Sequence, residues 1–398
     1  MDFSNLISEK MKGVKASAVR EIFKVAAQPD IITLAGGNPA PESFPAEEIK
    51  AAAIDILTNN PTAALQYSIS EGYPRFREQI RERMANKFNI GRETDDLIIV
   101  SGSQQGADIT TKALINEGDG VVCEEPSFIG CLNTFRTYNA KLYGVKMNDD
   151  GMDMEQLEET LATHKNIKMI YTIPTFQNPS GITTSLAVRK KMLELAIKYN
   201  VIILEDNPYG ELRFRGEDVP TIKSMDTTGH VIYIGSFSKI FSPGLRLAYL
   251  IFDEGIREKI VVGKQATDVH TNILSQMIAS YYLDHYDIDA QIEKSRLLYK
   301  HRCEWMLACM DKYFPKNVTW THPDGGIFIW VTLPEGIDTQ KLFQEAVEKK
   351  VAFVPGAAFM TDADKVTSSL RLNYSTMPDE KIERGIQILG ELLNSKLG

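Results

Sequence analysis

A lysine flanked by serines and followed by an arginine carries the strongest chemical signal in the sequence. Lys239 lies beside Ser236 and Ser238, Arg246 stands seven positions later, and the apolar run 231–234 before them predicts a buried strand. An amine at a strand end can form a Schiff base with an aldehyde, and a guanidinium with hydroxyls can bind a phosphate ester. Pyridoxal 5′-phosphate is the common cofactor that carries both groups. The alternative is a strand end with a solvated lysine and a serine turn.

A carboxylate at another strand end fits the same cofactor. Asp206 closely follows the fully apolar run 201–204. A carboxylate there is partly desolvated and needs a cationic partner, which a protonated pyridine nitrogen would supply. The alternative is an Asx turn before Pro208.

The elements that position these residues alternate between strands and helices from Asp95 onward, which predicts a mostly parallel sheet. Ligands bind at the carboxyl ends of the strands in such sheets. The polar residues predicted at these ends are Ser103, Asn178, Asp206, Tyr209 and Lys239. Ser103 opens a helix whose free N–H groups could bind an anion, or it is simply an N-cap.

The sequence allows two interpretations each for the loop around Gly36 and Gly37 and for Arg371. The loop around Gly36 and Gly37 has a backbone that can approach a small ligand, or it is a plain linker. Arg371, central in the apolar strand 370–374, is either buried in an ion pair or faces a cleft, where it would fit a carboxylate.

The length predicts two domains, or one large domain with a smaller partner. The pattern of strands and helices predicts an α/β protein whose large domain has a mostly parallel sheet flanked by helices, with a smaller α+β domain. We expect the smaller domain to combine the C-terminal part with the N-terminal arm. The predicted bounds are 1–45 for the arm, which includes a short helix at 17–27, 46–302 for the large cofactor-binding domain, and 303–398 for the small domain.

Charge and cysteine usage narrow the function classes. The net charge is −9, and no basic cluster is interleaved with aromatics, so we expect no nucleic-acid partner. Four cysteines without C-x-x-C spacing suit reduced, mostly buried thiols and no metal site. No apolar run has the length of a signal peptide or a membrane span, so we expect no membrane association and a cytoplasmic location.

Eight runs of sequence carry a resemblance to a known family. They are Ala35-Gly36-Gly37-Asn38-Pro39, Leu65-Gln66-Tyr67-Ser68, Ser101-Gly102-Ser103-Gln104-Gln105-Gly106, Glu125-Pro126-Ser127-Phe128, Gln177-Asn178-Pro179-Ser180-Gly181, Glu205-Asp206-Asn207-Pro208-Tyr209, Ser236-Phe237-Ser238-Lys239 and Arg371-Leu372-Asn373. In order and content they resemble the fold-type I pyridoxal-phosphate aminotransferases of class I and II, and they are most similar to the kynurenine/2-aminoadipate aminotransferase group. The resemblance covers nearly the whole chain.

The resemblance implies a role for each cofactor-binding residue. Lys239 would bind the cofactor aldehyde and then move protons, Asp206 would pair with the pyridine nitrogen, and Asn178 and Tyr209 would bind the phenolic oxygen. Phe128 would stack on the ring, although close relatives often carry tyrosine there. The implied phosphate ligands are Ser103, Gln104, Ser236, Ser238 and Arg246.

The resemblance also implies substrate and subunit contacts. Gly37, Asn178 and Arg371 would bind the substrate α-carboxylate. Tyr67, which is packing if taken alone, would reach the phosphate in the neighbouring subunit, and this implies a homodimer with shared sites. Arg20 would contact the substrate side chain, or it is a solvated helix residue.

The implied activity is transfer of an amino group, by a ping-pong mechanism, between an L-amino acid and a 2-oxo acid. The donor would be aromatic, aliphatic or similar to 2-aminoadipate, and the expected acceptor is 2-oxoglutarate. The alternatives are another pyridoxal-phosphate reaction, such as that of a β-lyase or decarboxylase, or a non-catalytic ligand-sensing domain of a regulator. A sensing domain would need a basic winged-helix domain before residue 30, which this sequence does not show.

Overall fold

The computed structural model describes residues 3, 6–12, 28–362 and 364–397 of the chain. The helix predicted at 17–27, with Arg20, lies outside these residues. In chain order the strands are β1 (Ile32–Thr33), β2 (Asp95–Val100), β3 (Gly120–Glu125), β4 (Lys141–Asn148), β5 (Gly151–Met152), β6 (Ile167–Thr172), β7 (Ile202–Asn207), β8 (Val231–Ser236), β9 (Ala248–Asp253), β10 (Thr319–Trp320), β11 (Phe328–Thr332), β12 (Val351–Ala352), β13 (Val354–Pro355) and β14 (Ser369–Asn373).

Helices separate most of these strands. The α-helices are α1 (Glu9–Lys12), α2 (Ala46–Asn59), α3 (Pro61–Leu65), α4 (Pro74–Phe88), α5 (Ser103–Leu114), α6 (Ile129–Thr137), α7 (Met154–Thr163), α8 (Leu186–Tyr199), α9 (Ile222–Met225), α10 (Arg257–Asp268), α11 (Ile273–His285), α12 (Ile288–Tyr313), α13 (Thr339–Glu348) and α14 (Asp379–Leu397). Short 3₁₀ turns cover Pro41–Ser43, Glu254–Ile256 and Gly356–Phe359.

The larger sheet has eight strands in the order β2-β9-β8-β7-β6-β3-β4-β5. The neighbours from β8 through β7, β6 and β3 to β4 are parallel, whereas β9 is antiparallel to both β8 and β2. Helices flank this sheet and bury its central strands, which explains their continuous apolar runs. The prediction of a mostly parallel sheet is therefore confirmed. It places the ends of β6, β7 and β8 side by side.

A second sheet, in the order β10-β11-β14-β13, is antiparallel and belongs to the smaller unit. Strand β1 pairs in parallel with β12, which joins the N-terminal arm to the C-terminal part as expected. Helix α12 continues without a break through residue 303. The proposed domain division at 302/303 therefore falls inside a helix, and the bounds stay a prediction.

Some elements differ from the sequence-based expectation. The apolar pattern from Leu245 to Ile251 predicts a strand, but β9 begins only at Ala248, which leaves Arg246 in the preceding turn with a φ of 54°. The apolar run 351–354 predicts one strand, but the structure divides it into β12 and β13. Strand β4 and helices α6 and α7 were not predicted, because partly exposed positions interrupt their apolar patterns.

The end of β7 is anchored by Glu205, whose buried carboxylate accepts hydrogen bonds from the backbone N–H groups of Ile222 and Lys223 at 2.9 and 2.7 Å. Successive side chains of a strand point to opposite faces of the sheet. The neighbouring Asp206 therefore faces away from this anchor and is left available for the site.

Replacing the anchor should destabilise the fold. In Glu205→Ala the two N–H groups lose their acceptor in the interior, which costs about 2–5 kcal/mol of unfolding free energy. Thermal unfolding followed by circular dichroism should show a lower midpoint. The control, Glu217→Ala at an exposed position, should melt like the native chain. Equal midpoints for Glu205→Ala and the native chain would contradict the anchoring role.

Candidate active site

A cavity of about 310 Å³ lies beyond the carboxyl ends of β6, β7 and β8. It brings together residues from the N-terminal arm, the large sheet and the small sheet. The predicted site residues that line it are Gly37, Ser103, Gln104, Phe128, Asn178, Asp206, Tyr209, Ser236, Ser238, Lys239, Arg246 and Arg371. Their convergence makes this cavity the candidate active site.

A larger cavity, of about 600 Å³, lies between loop 180–183 and residues 319–332. None of the predicted site residues that the structure describes lines it, and its described lining residues include no lysine or arginine. Its described lining therefore offers no lysine or arginine to bind a phosphate or a carboxylate. The smaller cavity offers Lys239, Arg246 and Arg371, and is the better candidate for binding an anionic ligand.

Lys239 follows the end of β8 and is half-buried. Its Nζ donates a hydrogen bond of 2.7 Å to the carbonyl oxygen of Gly37. Burial, together with the charges of Arg371 and Arg246, lowers the pKa of Lys239 to about 8. At pH 7 about a tenth of an amine with this pKa is neutral, far more than for an ordinary lysine, and this neutral fraction is the nucleophile toward a carbonyl group. The alternative of a solvated lysine is wrong.

Asp206 lies near the end of β7 and is 2% exposed. Its Oδ2 accepts a hydrogen bond of 3.1 Å from the hydroxyl of Tyr171, whereas its Oδ1 has no hydrogen-bond partner among the described residues. Burial raises the pKa of the carboxyl to about 7, although the Tyr171 hydrogen bond opposes this shift. The described residues after Asp206 donate no Asx-turn hydrogen bond to its side chain. The carboxylate is thus a buried group that needs a cation.

Arg371 lies centrally in β14 and is 4% exposed. Its Nη1 donates to Oδ1 of Asn178 at 2.8 Å, and its Nη2 donates to the carbonyl oxygen of Ala35 at 2.8 Å. The guanidinium lies 4.1 Å from the ring centroid of Phe328. No carboxylate among the described residues pairs with it, so the ion-pair alternative is wrong for this part of the chain. Burial lowers the pKa of Arg371 to about 10.

Asn178 also reaches the hydroxyl of Tyr209, to which its Nδ2 donates at 3.5 Å. Burial raises the pKa of Tyr209 well above its usual value. The phenol therefore stays protonated and can donate to an oxygen in the cavity.

The start of helix α5 and Arg246 also line the cavity. The N-cap of α5 is Gly102, with a φ of 87° and no side-chain cap, so Ser103 is not the N-cap. A Cβ on Gly102 would lie 2.0 Å from Nη2 of Arg246, so glycine is needed for this approach. A guanidinium beside a helix N-terminus, with the hydroxyls of Ser236 and Ser238 nearby, fits a phosphate.

Gln104 and Phe128 complete the wall. The side chain of Gln104 donates to the carbonyl oxygen of Gly130 at 3.0 Å, so its backbone N–H is the group left for an anion. Phe128 precedes helix α6 and lines the cavity with an aromatic ring. The sequence did not indicate Phe328 and Phe359, which also line it, because the small sheet brings them there from distant positions.

Tyr67 does not line the cavity within this chain. The residue is 81% exposed, and its ring lies edge-on to that of His270, with the ring centroids 5.9 Å apart. Leu65 is 73% exposed close by. The predicted role of Tyr67 in a neighbouring subunit stays a prediction.

The residues present fit pyridoxal 5′-phosphate. The orphaned carboxylate oxygen of Asp206 matches a protonated ring nitrogen, the Lys239 amine matches an aldehyde, and the cationic end at Arg246 matches a phosphate. A large mostly parallel sheet with this site at its carboxyl edge defines a fold-type I pyridoxal-phosphate enzyme.

Comparison with known proteins gives the family. Residues 29–389 match the family described as aminotransferase class I and II. The chain belongs to this family; it is an aminotransferase whose cofactor is pyridoxal 5′-phosphate.

Three similar proteins illustrate the match. The aromatic-amino-acid aminotransferase 1 of Thermococcus litoralis is 42% identical over 100% of this chain and 96% of its own length. The kynurenine aminotransferase of Pyrococcus horikoshii, solved in complex with PMP, KYN and KYA, has a TM-score of 0.96 and 40% identity over 100% of this chain and 99% of that one. The alpha-aminoadipate aminotransferase of Thermus thermophilus was solved with N-(5′-phosphopyridoxyl)-L-leucine. It has a TM-score of 0.92 and 35% identity, over 100% of this chain and 99% of that one.

The helices and the cysteines bear on the predictions about membrane association and thiol oxidation. Within the described part of the chain, no helix is long and apolar enough to cross a membrane. The cysteines Cys123, Cys131, Cys303 and Cys309 are all buried free thiols, as predicted.

Proposed function

We propose that this aminotransferase moves an amino group between an L-amino acid and a 2-oxo acid, with 2-oxoglutarate as the usual acceptor, in a ping-pong cycle. One observation carries the proposal: a single cavity holds a lysine amine of lowered pKa, a carboxylate with an unpartnered oxygen, and an arginine that lacks a carboxylate partner among the described residues.

The cofactor would be held along the length of the cavity. Asp206 would pair with the ring nitrogen, Asn178 and Tyr209 would bind the phenolic oxygen, and Phe128 would stack on the ring. The phosphate would be bound by Ser103, Gln104, Ser236, Ser238 and Arg246. When bound, pyridoxal 5′-phosphate supplies an electron sink for the electrons of a broken substrate bond.

The chain's own residues would perform the remaining steps. Arg371 and Asn178, with the backbone of Gly37, bind the α-carboxylate and so fix which bond at Cα faces Lys239. The Nζ of Lys239 takes the proton from Cα, and in the second half-reaction it returns a proton to Cα of the incoming 2-oxo acid. One carboxylate site serves both substrates, so they bind in turn.

The proposed donors are aromatic, aliphatic and 2-aminoadipate-like amino acids. Phe128, Phe328 and Phe359 give the cavity an aromatic lining that suits apolar side chains. The names of the similar proteins, which include aromatic-amino-acid and alpha-aminoadipate aminotransferases, support the same range.

The four free, buried thiols support a reducing compartment, and we propose the cytoplasm. Fractionation of the source cells with an antibody to the chain tests this assignment.

Replacing Lys239 tests the central role. In the native chain, an amino donor added without an acceptor should change the visible absorbance of the bound cofactor, because the first half-reaction needs no second substrate. Lys239→Ala should lose the absorbance of the lysine-bound cofactor and all measurable turnover, since both need the amine. Lys191→Ala, at a distant surface position, is the control and should behave as native.

The products identify the reaction type. Transfer from glutamate should yield 2-oxoglutarate and an aminated acceptor in equal amounts, whereas a β-lyase or decarboxylase would release ammonia or carbon dioxide. Turnover by Lys239→Ala, or release of either gas without amino transfer, would refute the proposal.

We also propose a homodimer with shared sites, in which Tyr67 of one protomer reaches the phosphate held by its partner. The high exposure of Tyr67 and Leu65 supports a protein surface that is covered in the assembly. The proposed site is incomplete without the second copy.

Complementation between two inactive variants should test the shared site. Tyr67→Ala and Lys239→Ala homodimers should each be impaired. A mixed dimer contains one site with both native residues, so mixing under subunit exchange should restore activity above that of either variant. As a control, the mixture should remain impaired when exchange is prevented by crosslinking each homodimer beforehand. Failure of rescue in verified mixed dimers, or a fully active monomer in sedimentation, would count against sharing.

A role for Arg20 rests on the resemblance alone, because this residue lies outside the described part of the chain. We propose that its guanidinium pairs with the distal carboxylate of glutamate or 2-aminoadipate. One charged hydrogen bond is worth about 1.5–3 kcal/mol, or roughly ten- to a hundredfold in kcat/KM.

Arg20→Ala should therefore lower kcat/KM for dicarboxylic substrates by that factor and leave leucine and phenylalanine nearly unchanged. Arg20→Lys, which keeps the charge, should lose less. Steady-state rates with both substrate classes provide the measurement. Equal losses in both classes, or none in either, would assign Arg20 to the scaffold.

A further inference from the structure

Tyr171 lies inside the sheet directly behind the proposed catalytic carboxylate. It is the penultimate residue of β6, pairs in register with Leu204 of the neighbouring β7, and is completely buried. Its ring packs edge-on against Phe135, with centroids 5.4 Å apart. The ring is therefore fixed from both the strand and helix α6.

The hydroxyl of Tyr171 points at Asp206, to whose Oδ2 it donates a hydrogen bond of 3.1 Å. Burial, with Cys131 and Asp206 nearby, raises the pKa of Tyr171 well above its usual value. The hydroxyl thus remains protonated over the physiological range and acts as a donor. Among the described residues, Tyr171 is the one hydrogen-bond donor to the Asp206 side chain. The other carboxylate oxygen, Oδ1, has no hydrogen-bond partner among them.

We propose that Tyr171 is a positioning residue for the cofactor's ring nitrogen: its hydroxyl holds Oδ2 of Asp206 and thereby leaves Oδ1 as the oxygen that binds the protonated nitrogen. The inference rests on the proposed role of Asp206. It adds a residue that touches neither the substrate nor the reacting atoms.

Two physical effects follow from this contact. The terminal torsion of an aspartate is broad, so an anchored oxygen restricts the direction of the other one. A hydrogen bond to a carboxylate also favours its charged form, which opposes burial and the nearby charge of Glu124. The other titratable groups that face Asp206 are the Cys131 thiol and the Tyr209 phenol, and both are neutral because burial raises their pKa values.

The test uses Tyr171→Phe, which removes one oxygen atom and keeps the ring. Its matched control is Tyr233→Phe on β8, the strand on the other side of β7, where the tyrosine is also buried but its hydroxyl accepts a hydrogen bond from Asn207 at 3.0 Å. Both holoenzymes are loaded with cofactor that carries ¹⁵N at the ring nitrogen. The nuclear magnetic resonance shift of this nitrogen reports its protonation directly, and only loaded, folded protein contributes.

In Tyr171→Phe the ¹⁵N signal should move toward its unprotonated position, and kcat should fall about ten- to a hundredfold, since one hydrogen bond to a charged group is lost. Tyr233→Phe should keep the native signal and turnover. A native ¹⁵N signal in Tyr171→Phe, with or without loss of activity, would overturn the proposal.

Asp206→Asn separates this inference from the function beneath it. A displaced signal and slow turnover in Asp206→Asn, with Tyr171→Phe native in both, would reject Tyr171 alone. A native signal and native turnover in Asp206→Asn would reject the proposed role of Asp206, and the inference would fall with it.

Discussion

The site depends on charged groups that are buried without charged partners in the described part of the chain. Asp206 is 2% exposed with one oxygen unpartnered, and Arg371 is 4% exposed with only neutral acceptors. Taking a charge out of water costs several kcal/mol unless a partner compensates. A ligand that supplies the missing charge would offset this cost: on the proposed function, the protonated ring would do so for Asp206 and the substrate carboxylate for Arg371. The large core of the sheet domain offsets the cost.

Backbone carbonyl oxygens of the N-terminal arm stabilise the buried cations of the site. Ala35 accepts from Arg371, and Gly37 accepts from Lys239, across more than two hundred residues of sequence in each case. A carbonyl oxygen stabilises a cation without neutralising its charge. Arg371 therefore remains able to bind an anion, and the Lys239 amine remains able to react with a carbonyl group. The pairing of β1 with β12 fixes the arm at this point. The N-terminal segment thus contributes to the site although it lies far from the large sheet in sequence.

The sequence predicted the parts of the site that local chemistry encodes. The apolar runs that precede Asp206 and Lys239 mark strands whose ends carry these residues. The carboxyl ends of neighbouring parallel strands meet at one edge of the sheet. The antiparallel insertion of β9 between β2 and β8 was not predictable from its run, because both orientations bury the same side chains. Phe328, Phe359 and Tyr171 were also missed. Their apolar surroundings look like core, and only non-local pairing brings them to the cavity or to Asp206.

The pKa of Lys239 depends on both arginines that line the cavity. After burial, the charges of Arg371 and Arg246 are the causes that lower the pKa of the amine. On the proposed function, a phosphate would offset Arg246 and a substrate carboxylate would offset Arg371. Each anion removes one cause of the lowered pKa, so the amine becomes more basic as the site fills. Lys239 is thus most easily neutral, and nucleophilic, while the carboxylate site is empty. On the proposed mechanism it would become a stronger base once a substrate carboxylate has bound to Arg371, which is the stage at which it would take a proton from Cα.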